Sequence, residues 1–432
     1  MAKDARKTPR LLFANKRGEI FDHPDLLSVC RRGRELGLPR PDELIPLPPE
    51  SEIFLLPGRR AVGLNPASGR IEVLEETAVA AFVCPGHALT GLAAYETDPG
   101  APILPLFAYG AVGLIGDTPC VCAKKVDRDA RHVFTGIPRS RVEQGVRRLL
   151  GAYPRNRLVA HFAGCALSSG CPSAKNLALG RCEAPLAASR ACNARCVGCI
   201  SEQPPDSGFP ATQGRLAFTP TAAEIVEIMR EHAGRERRPV LSFGQGCEGE
   251  PLLTAELLAR AARGFRSAGG LGTVHVNTNG SRPEAAPLLA QAGFDSVRVS
   301  LASARPDAYA AYHRPQDFGF GDVTDFVREA KRAGLFVSLN LFFQPGFTDG
   351  ENELAALTGL IADTRLDFVQ LRNLNLDPEL ALFVFSPFDP GPCMGLANFS
   401  KRLRRACPWI GLGYFNPYLE EDKKLPEQKP AP

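Results

Sequence analysis

From residue 240 onward the chain alternates between two kinds of segment. Short β-branched or apolar runs at residues 240–243, 273–277, 296–301, 336–343 and 368–374 are separated by stretches of helical spacing at 255–268, 284–292, 322–333 and 351–363. An earlier helical stretch, 222–233, opens on Thr221-Ala222-Ala223-Glu224, a capping box that satisfies two otherwise orphaned backbone donors. Parallel strands need a crossover of a dozen or more residues, and their two covered faces make them read as unbroken apolar runs. With one strand just ahead of Cys192, the pattern predicts six βα units: an α/β fold built on a partial (βα)6 TIM-like barrel. Ligands in such a sheet gather at the carboxyl ends of the strands.

Upstream the rhythm differs. Apolar runs at 11–13, 53–56, 71–74, 79–83 and 105–112 are punctuated by Pro57-Gly58 and Pro66-Ala67-Ser68-Gly69, which predicts a strand-rich α+β domain closed by a helix over 140–152. The expected organisation is an N-terminal α+β accessory domain (1–156), a cysteine-containing connector (157–186) and the barrel (187–378). A C-terminal extension (379–419) and a charged, proline-rich, disordered tail (420–432) complete it. With 432 residues, 44% of them apolar, more than one core is expected. The apolar stretches 77–95 and 101–116 are broken by Pro85, His87, Pro102 and Pro105, and no apolar signal segment opens the chain. A cytoplasmic protein without membrane contact is therefore expected. The net charge is only +4, and the basic runs 235–238 and 401–405 lack interleaved aromatics, which argues against a nucleic-acid partner.

Thirteen cysteines in such a compartment need a purpose other than disulfides. Three fall in Cys192-Asn193-Ala194-Arg195-Cys196-Val197-Gly198-Cys199. Thiolates this close can wrap one metal centre from a single loop. A [4Fe-4S] cluster on three cysteines keeps its fourth iron open, whereas a structural zinc needs a fourth protein ligand such as Cys182 or Cys247.

The octet resembles the C-x-x-x-C-x-x-C signature of the radical S-adenosylmethionine (radical SAM) superfamily, and the resemblance covers roughly residues 187–378. It implies a [4Fe-4S] cluster on Cys192, Cys196 and Cys199 whose open iron takes the amino group and carboxylate of S-adenosyl-L-methionine. It implies also an external one-electron donor of the flavodoxin or ferredoxin kind. Reductive cleavage to a 5′-deoxyadenosyl radical would then start chemistry on a substrate that the sequence leaves unidentified. Further motifs follow in the superfamily's order. Gly244-Gln245-Gly246-Cys247-Glu248-Gly249-Glu250-Pro251 is similar to its GGE motif, and offers Gly249 and Glu250, with Glu248 as alternate, to the cofactor's ammonium. Asn277 and Asn279 match the end of its third strand, and Ser300, Asn340 and Gln370 its polar positions on later strands. One position departs: the residue before the third cysteine, usually aromatic, is Gly198.

Cys165, Cys171 and Cys182, with the close pair Cys120 and Cys122, are candidates for a second iron–sulfur cluster; the alternative is that they simply pack. Cys247 and Cys393 are read as packing thiols, with a role in radical chemistry as the sharper alternative. His132, His161, His275 and His313 form no metal pair by spacing. The competing functional class is a structural zinc or iron–sulfur protein without catalysis.

Overall fold

The computed structural model describes residues 8–419, so the tail 420–432 lies outside the described residues. Its largest α/β element is a seven-stranded parallel sheet in strict chain order: β1 (Glu183–Pro185), β2 (Val240–Phe243), β3 (Thr273–Thr278), β4 (Ser296–Leu301), β5 (Phe336–Phe343), β6 (Phe368–Asn373) and β7 (Gly411–Gly413). Every neighbouring pair is parallel, which gives the half-barrel that the alternating pattern predicts. The sheet carries one strand more than six units, because β7 comes from the C-terminal segment. It also starts at Glu183, ahead of residue 187.

Side chains alternate along these strands. Leu241, Phe243, Val274, Val276, Val297, Val299, Leu339, Leu341, Val369 and Leu371 pack with the surrounding helices in one apolar core. The intervening positions bond to one another on the other face: His275 with Ser296 and Asn277, Asn277 with Ser242, Arg298 with Gln370, Asn340 with Ser300. A strand such as Phe336–Phe343 is therefore buried on both faces while holding Ser338 and Asn340 in its middle.

Helices Ala222–Ala233, Ala255–Ser267, Ala285–Gln291, Phe320–Arg332 and Glu351–Thr364 lie where helical spacing predicts them, and Thr221 and Glu224 make the expected reciprocal cap. Two regions hold elements not assigned above. Residues 306–313 form the helix Pro306–His313, started by proline at its first turn. The connector holds the helices Arg157–Leu167 and Pro172–Leu179 before β1. Leu158, Val159, Phe162, Cys165 and Ala166 form one buried face of the first, and Asn156 caps it by accepting from Val159 N at 3.1 Å. The periodicity is complete once Cys165 is counted as an apolar residue.

The N-terminal segment is strand-rich, with a nine-stranded antiparallel sheet and a smaller three-stranded one. The runs 71–74 and 79–83 belong to a single strand, Ile71–Phe82, which pairs with Glu52–Leu64 across the predicted turn, where Ala67 N donates to Asn65 Oδ1. This sheet docks on the half-barrel: Asn373, at the end of β6, accepts from Leu89 N at 2.8 Å and donates to His87 O at 3.0 Å. No helix among the described residues is long and apolar enough to cross a membrane.

Candidate functional site

The cysteine octet lies in irregular chain after β1, yet nearly every turn of it is held. Val197 N donates to Tyr312 O, Arg195 N to Arg314 O, and Gln316 N to Asn193 O, so the loop runs alongside the end of helix Pro306–His313. Gln203 Nε2 closes the turn from outside by donating to the carbonyls of Val197 and Cys199. Asn193 bridges to the end of β3, accepting from Asn279 Nδ2 at 2.8 Å and donating to Ser281 Oγ at 3.0 Å. Cys192, Cys196 and Cys199 are each half-buried. Burial pushes the Cys192 thiol up to about 11 and the Cys196 thiol further in the same direction.

The loop after β2 is pressed against this one. Gly249 N donates to Ser189 O at 2.8 Å and Glu250 N to Ala191 O at 2.7 Å. A Cβ at Gly249 would collide with the Ala191 carbonyl, so the position requires a residue without one. The two glutamates of this loop differ. Glu248 accepts four backbone N–H groups, from Ala188, Ser189, Gly244 and Gln245, which saturates it. Glu250 accepts from Leu252 N and Thr278 Oγ1 on one oxygen and from Asn279 N alone on the other, which leaves that oxygen room for a further donor. Burial raises both carboxyls to about 7.

The remaining polar positions separate into two groups. Asn340 donates to Ser300 Oγ at 3.5 Å, and its buried Oδ1 has no partner. Asn277 and Gln370, by contrast, are satisfied at both ends. Asn277 bonds His275, Ser242 and the Phe243 carbonyl; Gln370 accepts from Arg298 and donates to Asn416. Both are knit into the polar interior of the half-barrel.

Helix Pro306–His313, unforeseen in the sequence, contributes three side chains. His313 Nδ1 lies 3.4 Å from Cys196 Sγ. Tyr309 stacks on His313 at 4.4 Å, is within electrostatic reach of Cys192, Cys196 and Glu250, and has a buried hydroxyl without a partner. Tyr312 explains Gly198: a Cβ there would meet the Tyr312 hydroxyl at 2.5 Å, so the space an aromatic neighbour of the third cysteine would need is filled from another element. The sequence signal was a Tyr-x-x-Tyr-His run on one short helix, Tyr309 to His313.

Residues 186–358 match the family model described as the radical SAM superfamily. The chain carries a radical SAM domain. Among curated proteins it is similar to a probable GTP 3′,8-cyclase of Thermococcus kodakarensis, at 36% identity over 122 residues, 27% of this chain and 38% of that protein. It is also similar to a GTP 3′,8-cyclase of Heliobacterium modesticaldum, at 31% over 164 residues, 37% of this chain and 46% of that one. The match thus spans less than half the length of either relative. Among solved structures, a radical SAM methyltransferase from Sphaerobacter thermophilus aligns with a TM-score of 0.38 at 17% identity, over 54% of this chain and 66% of that one. The [FeFe]-hydrogenase maturase HydG aligns with 0.37 at 14%, over 64% and 67%.

Among the described residues, the five cysteines considered for a second cluster do not come together in one group. Cys120 Sγ donates to Thr118 O, and Cys122 pairs with Cys30 inside the N-terminal sheet. Cys182 stands beside Glu236 and His232 at the start of β1. The eight-residue helix Pro172–Leu179 separates Cys171 from Cys182 by about 12 Å of helix rise. Only Cys165 and Cys171 share a neighbourhood.

Proposed function

We propose that this protein is a radical SAM enzyme: Cys192, Cys196 and Cys199 hold a [4Fe-4S] cluster, and the half-barrel mouth binds S-adenosyl-L-methionine on its open iron for reductive cleavage. The observation that carries the reading is the single clamped cysteine loop lying against the Gly249–Glu250 loop at the strand ends. The residues present fit the two groups. Buried polar atoms without protein partners, Asn340 Oδ1 and the Tyr309 hydroxyl, stand at or near this mouth, as a polar cofactor requires. Glu250 offers an under-used carboxylate oxygen to an ammonium, Asn279 fixes the loop through Asn193, and Ser300 with Asn340 would hold the ribose. Gly249 permits the close approach. Asn277 and Gln370 hold the barrel interior instead. When bound, the cluster and cofactor supply one-electron cleavage of a sulfonium and hence a radical initiator. The electron comes from an external flavodoxin- or ferredoxin-like donor.

We assign as substrate chamber a cavity of about 740 Å³ that packed aromatic side chains connect to the cysteine loop. Its walls are Arg32–Gly37 of the N-terminal domain, the loop Gln344–Asp349 after β5, and Phe385 to Cys393. Phe347, Phe385 and Tyr312 form a stacked file from this cavity to Gly198. The curated relatives act, by their names, on GTP; a triphosphate calls for cations in excess. In this cavity Arg32 and Arg40 already share Glu43, so we assign a polar molecule of mixed charge.

Anaerobically purified protein should be brown, absorb near 400 nm, and form 5′-deoxyadenosine with dithionite. Replacing any one of Cys192, Cys196 or Cys199 by Ala should abolish that product. Full product formation in a single variant, or protein carrying zinc and no iron at these cysteines, sinks the reading in favour of a structural metal protein.

A further inference from the structure

Away from the cysteine octet, one group among the described residues is arranged to grip a single ion. The ligand atoms of His161, Cys165 and Cys247 all lie within 4.8 Å of one another. They come from distant parts of the chain. His161 and Cys165 are four apart on helix Arg157–Leu167 and so share a face, with Cys165 Sγ 3.6 Å from His161 Nε2. Cys247 sits in the loop after β2, three residues before Glu250, and its thiol lies within 4.8 Å of that of Cys165. A fourth thiol lies nearby, outside this group. Cys171 is half-buried, donates its backbone N–H to Cys165 O at 3.0 Å, and lies within electrostatic reach of the Cys165 and Cys247 thiols.

We propose that His161, Cys165, Cys171 and Cys247 form a structural zinc site. One nitrogen and three sulfurs suit zinc's borderline-soft character, and four protein ligands leave no position open for catalysis. Ligands held about 2.0–2.3 Å from a common zinc lie no more than about 4.6 Å apart, close to the 4.8 Å that contains the ligand atoms of His161, Cys165 and Cys247, whereas an iron–sulfur cluster distributes its thiolates over separate irons. Cys171 lies outside that group and would turn its thiol inward to complete the set. Binding converts the three thiols to thiolates and releases their protons to solvent. Buried Cys165 and Cys247 are unlike surface thiols that collect metal by chance. The site would staple the connector helix to the loop that carries Gly249 and Glu250, so the metal would fix the position of the cofactor loop without touching the cofactor.

The test is metal analysis of the full-length, iron-loaded protein. About one zinc per chain is expected beside the iron, and His161→Ala and Cys165→Ser should each lose the zinc while keeping their iron. The Cys192, Cys196, Cys199→Ala triple variant should show the reverse, zinc retained and iron gone. Because Cys165→Ser removes a buried group and can fail to fold, wild-type protein stripped of zinc by a chelator is also titrated with Co²⁺. A tetrahedral thiolate site gives intense sulfur-to-cobalt absorption, which His161→Ala should weaken and shift. Four results overturn the proposal: folded wild type with neither zinc nor a cobalt spectrum; zinc undiminished in both single variants; iron instead of zinc persisting in the triple variant; or thiol titration that finds Cys165 and Cys247 joined as a disulfide.

Discussion

Ala302 donates its backbone N–H to His313 Nε2 at 3.1 Å, so the neutral ring carries its proton on Nδ1, the nitrogen 3.4 Å from Cys196 Sγ. Burial lowers the ring's pKa to about 3, so this tautomer persists through the physiological range. A hydrogen bond to a cluster thiolate stabilises the electron-rich reduced state. His313→Phe should therefore lower the midpoint potential by tens of millivolts, about 59 mV for each tenfold change in the one-electron equilibrium. An EPR-monitored redox titration reads it, and an unchanged potential reduces His313 to packing. Glu250 gives a pH dependence of definite sign. Burial holds its carboxyl near 7 against an ordinary 4.5, so below pH 7 it is protonated and cannot accept from an ammonium as a carboxylate. Cofactor affinity should rise from pH 6 to pH 8. Glu250→Gln should flatten that rise and weaken binding by about ten- to hundredfold, the equivalent of about 1.5–3 kcal/mol for a lost charge-assisted bond. Equilibrium dialysis checks both, and equal binding by the variant moves the role elsewhere. In the cofactor-free protein the same raised pKa costs stability as pH climbs from about 4.5 through about 7, since the unfolded chain ionises first.

Elements hold such residues in place through backbone contacts, and the loop after β2 shows how narrowly. Gly249→Ala should push that loop off the Ala191 carbonyl and strain the bonds Gly249 N–Ser189 O and Glu250 N–Ala191 O. The expected cost is about 1–3 kcal/mol by overpacking, read as a lower melting temperature together with weaker cofactor binding. An unshifted melt contradicts the close approach. Elements differ also in how far the sequence reveals them. Strands β2 to β6 were legible because burial on both faces makes each a continuous apolar run, and the cysteine octet because its ligands are contiguous in sequence. Helix Pro306–His313 was not, since it is short and its apolar face is built from tyrosine and alanine. Asn277 and Asn340 look alike in sequence as lone amides in apolar strands. Only the register and the neighbours, His275 and Ser242 for one and Ser300 alone for the other, separate a satisfied amide from one with a free oxygen. The approach of Cys247 to His161 and Cys165 is a tertiary event that no local spacing encodes.

At the scale of the molecule, the N-terminal sheet and the half-barrel meet at a buried charge. Arg59 Nη2 lies 3.1 Å from Asp377 Oδ2, with side chains 3% and 2% exposed. Asp377 also accepts from Leu104 N at 2.7 Å and caps helix Pro378–Phe385 through Glu379 N at 2.8 Å, so one carboxylate ties two parts of the N-terminal domain to the segment after β6. A buried pair contributes little over an apolar replacement, but removing one partner strands the other charge. Asp377→Ala should therefore cost about 3–5 kcal/mol, against under about 1 kcal/mol for Asp98→Ala, whose partner Arg60 is partly exposed. The loss should concentrate at the seam. Denaturant unfolding of Asp377→Ala should split into two transitions with a smaller slope for each, the N-terminal sheet parting first. Replacing Arg59 by Met in the same chain should restore part of the stability by removing the stranded cation. A single transition whose midpoint matches that of Asp98→Ala would show that the two parts are held by their apolar contacts and that the buried pair is incidental to their union.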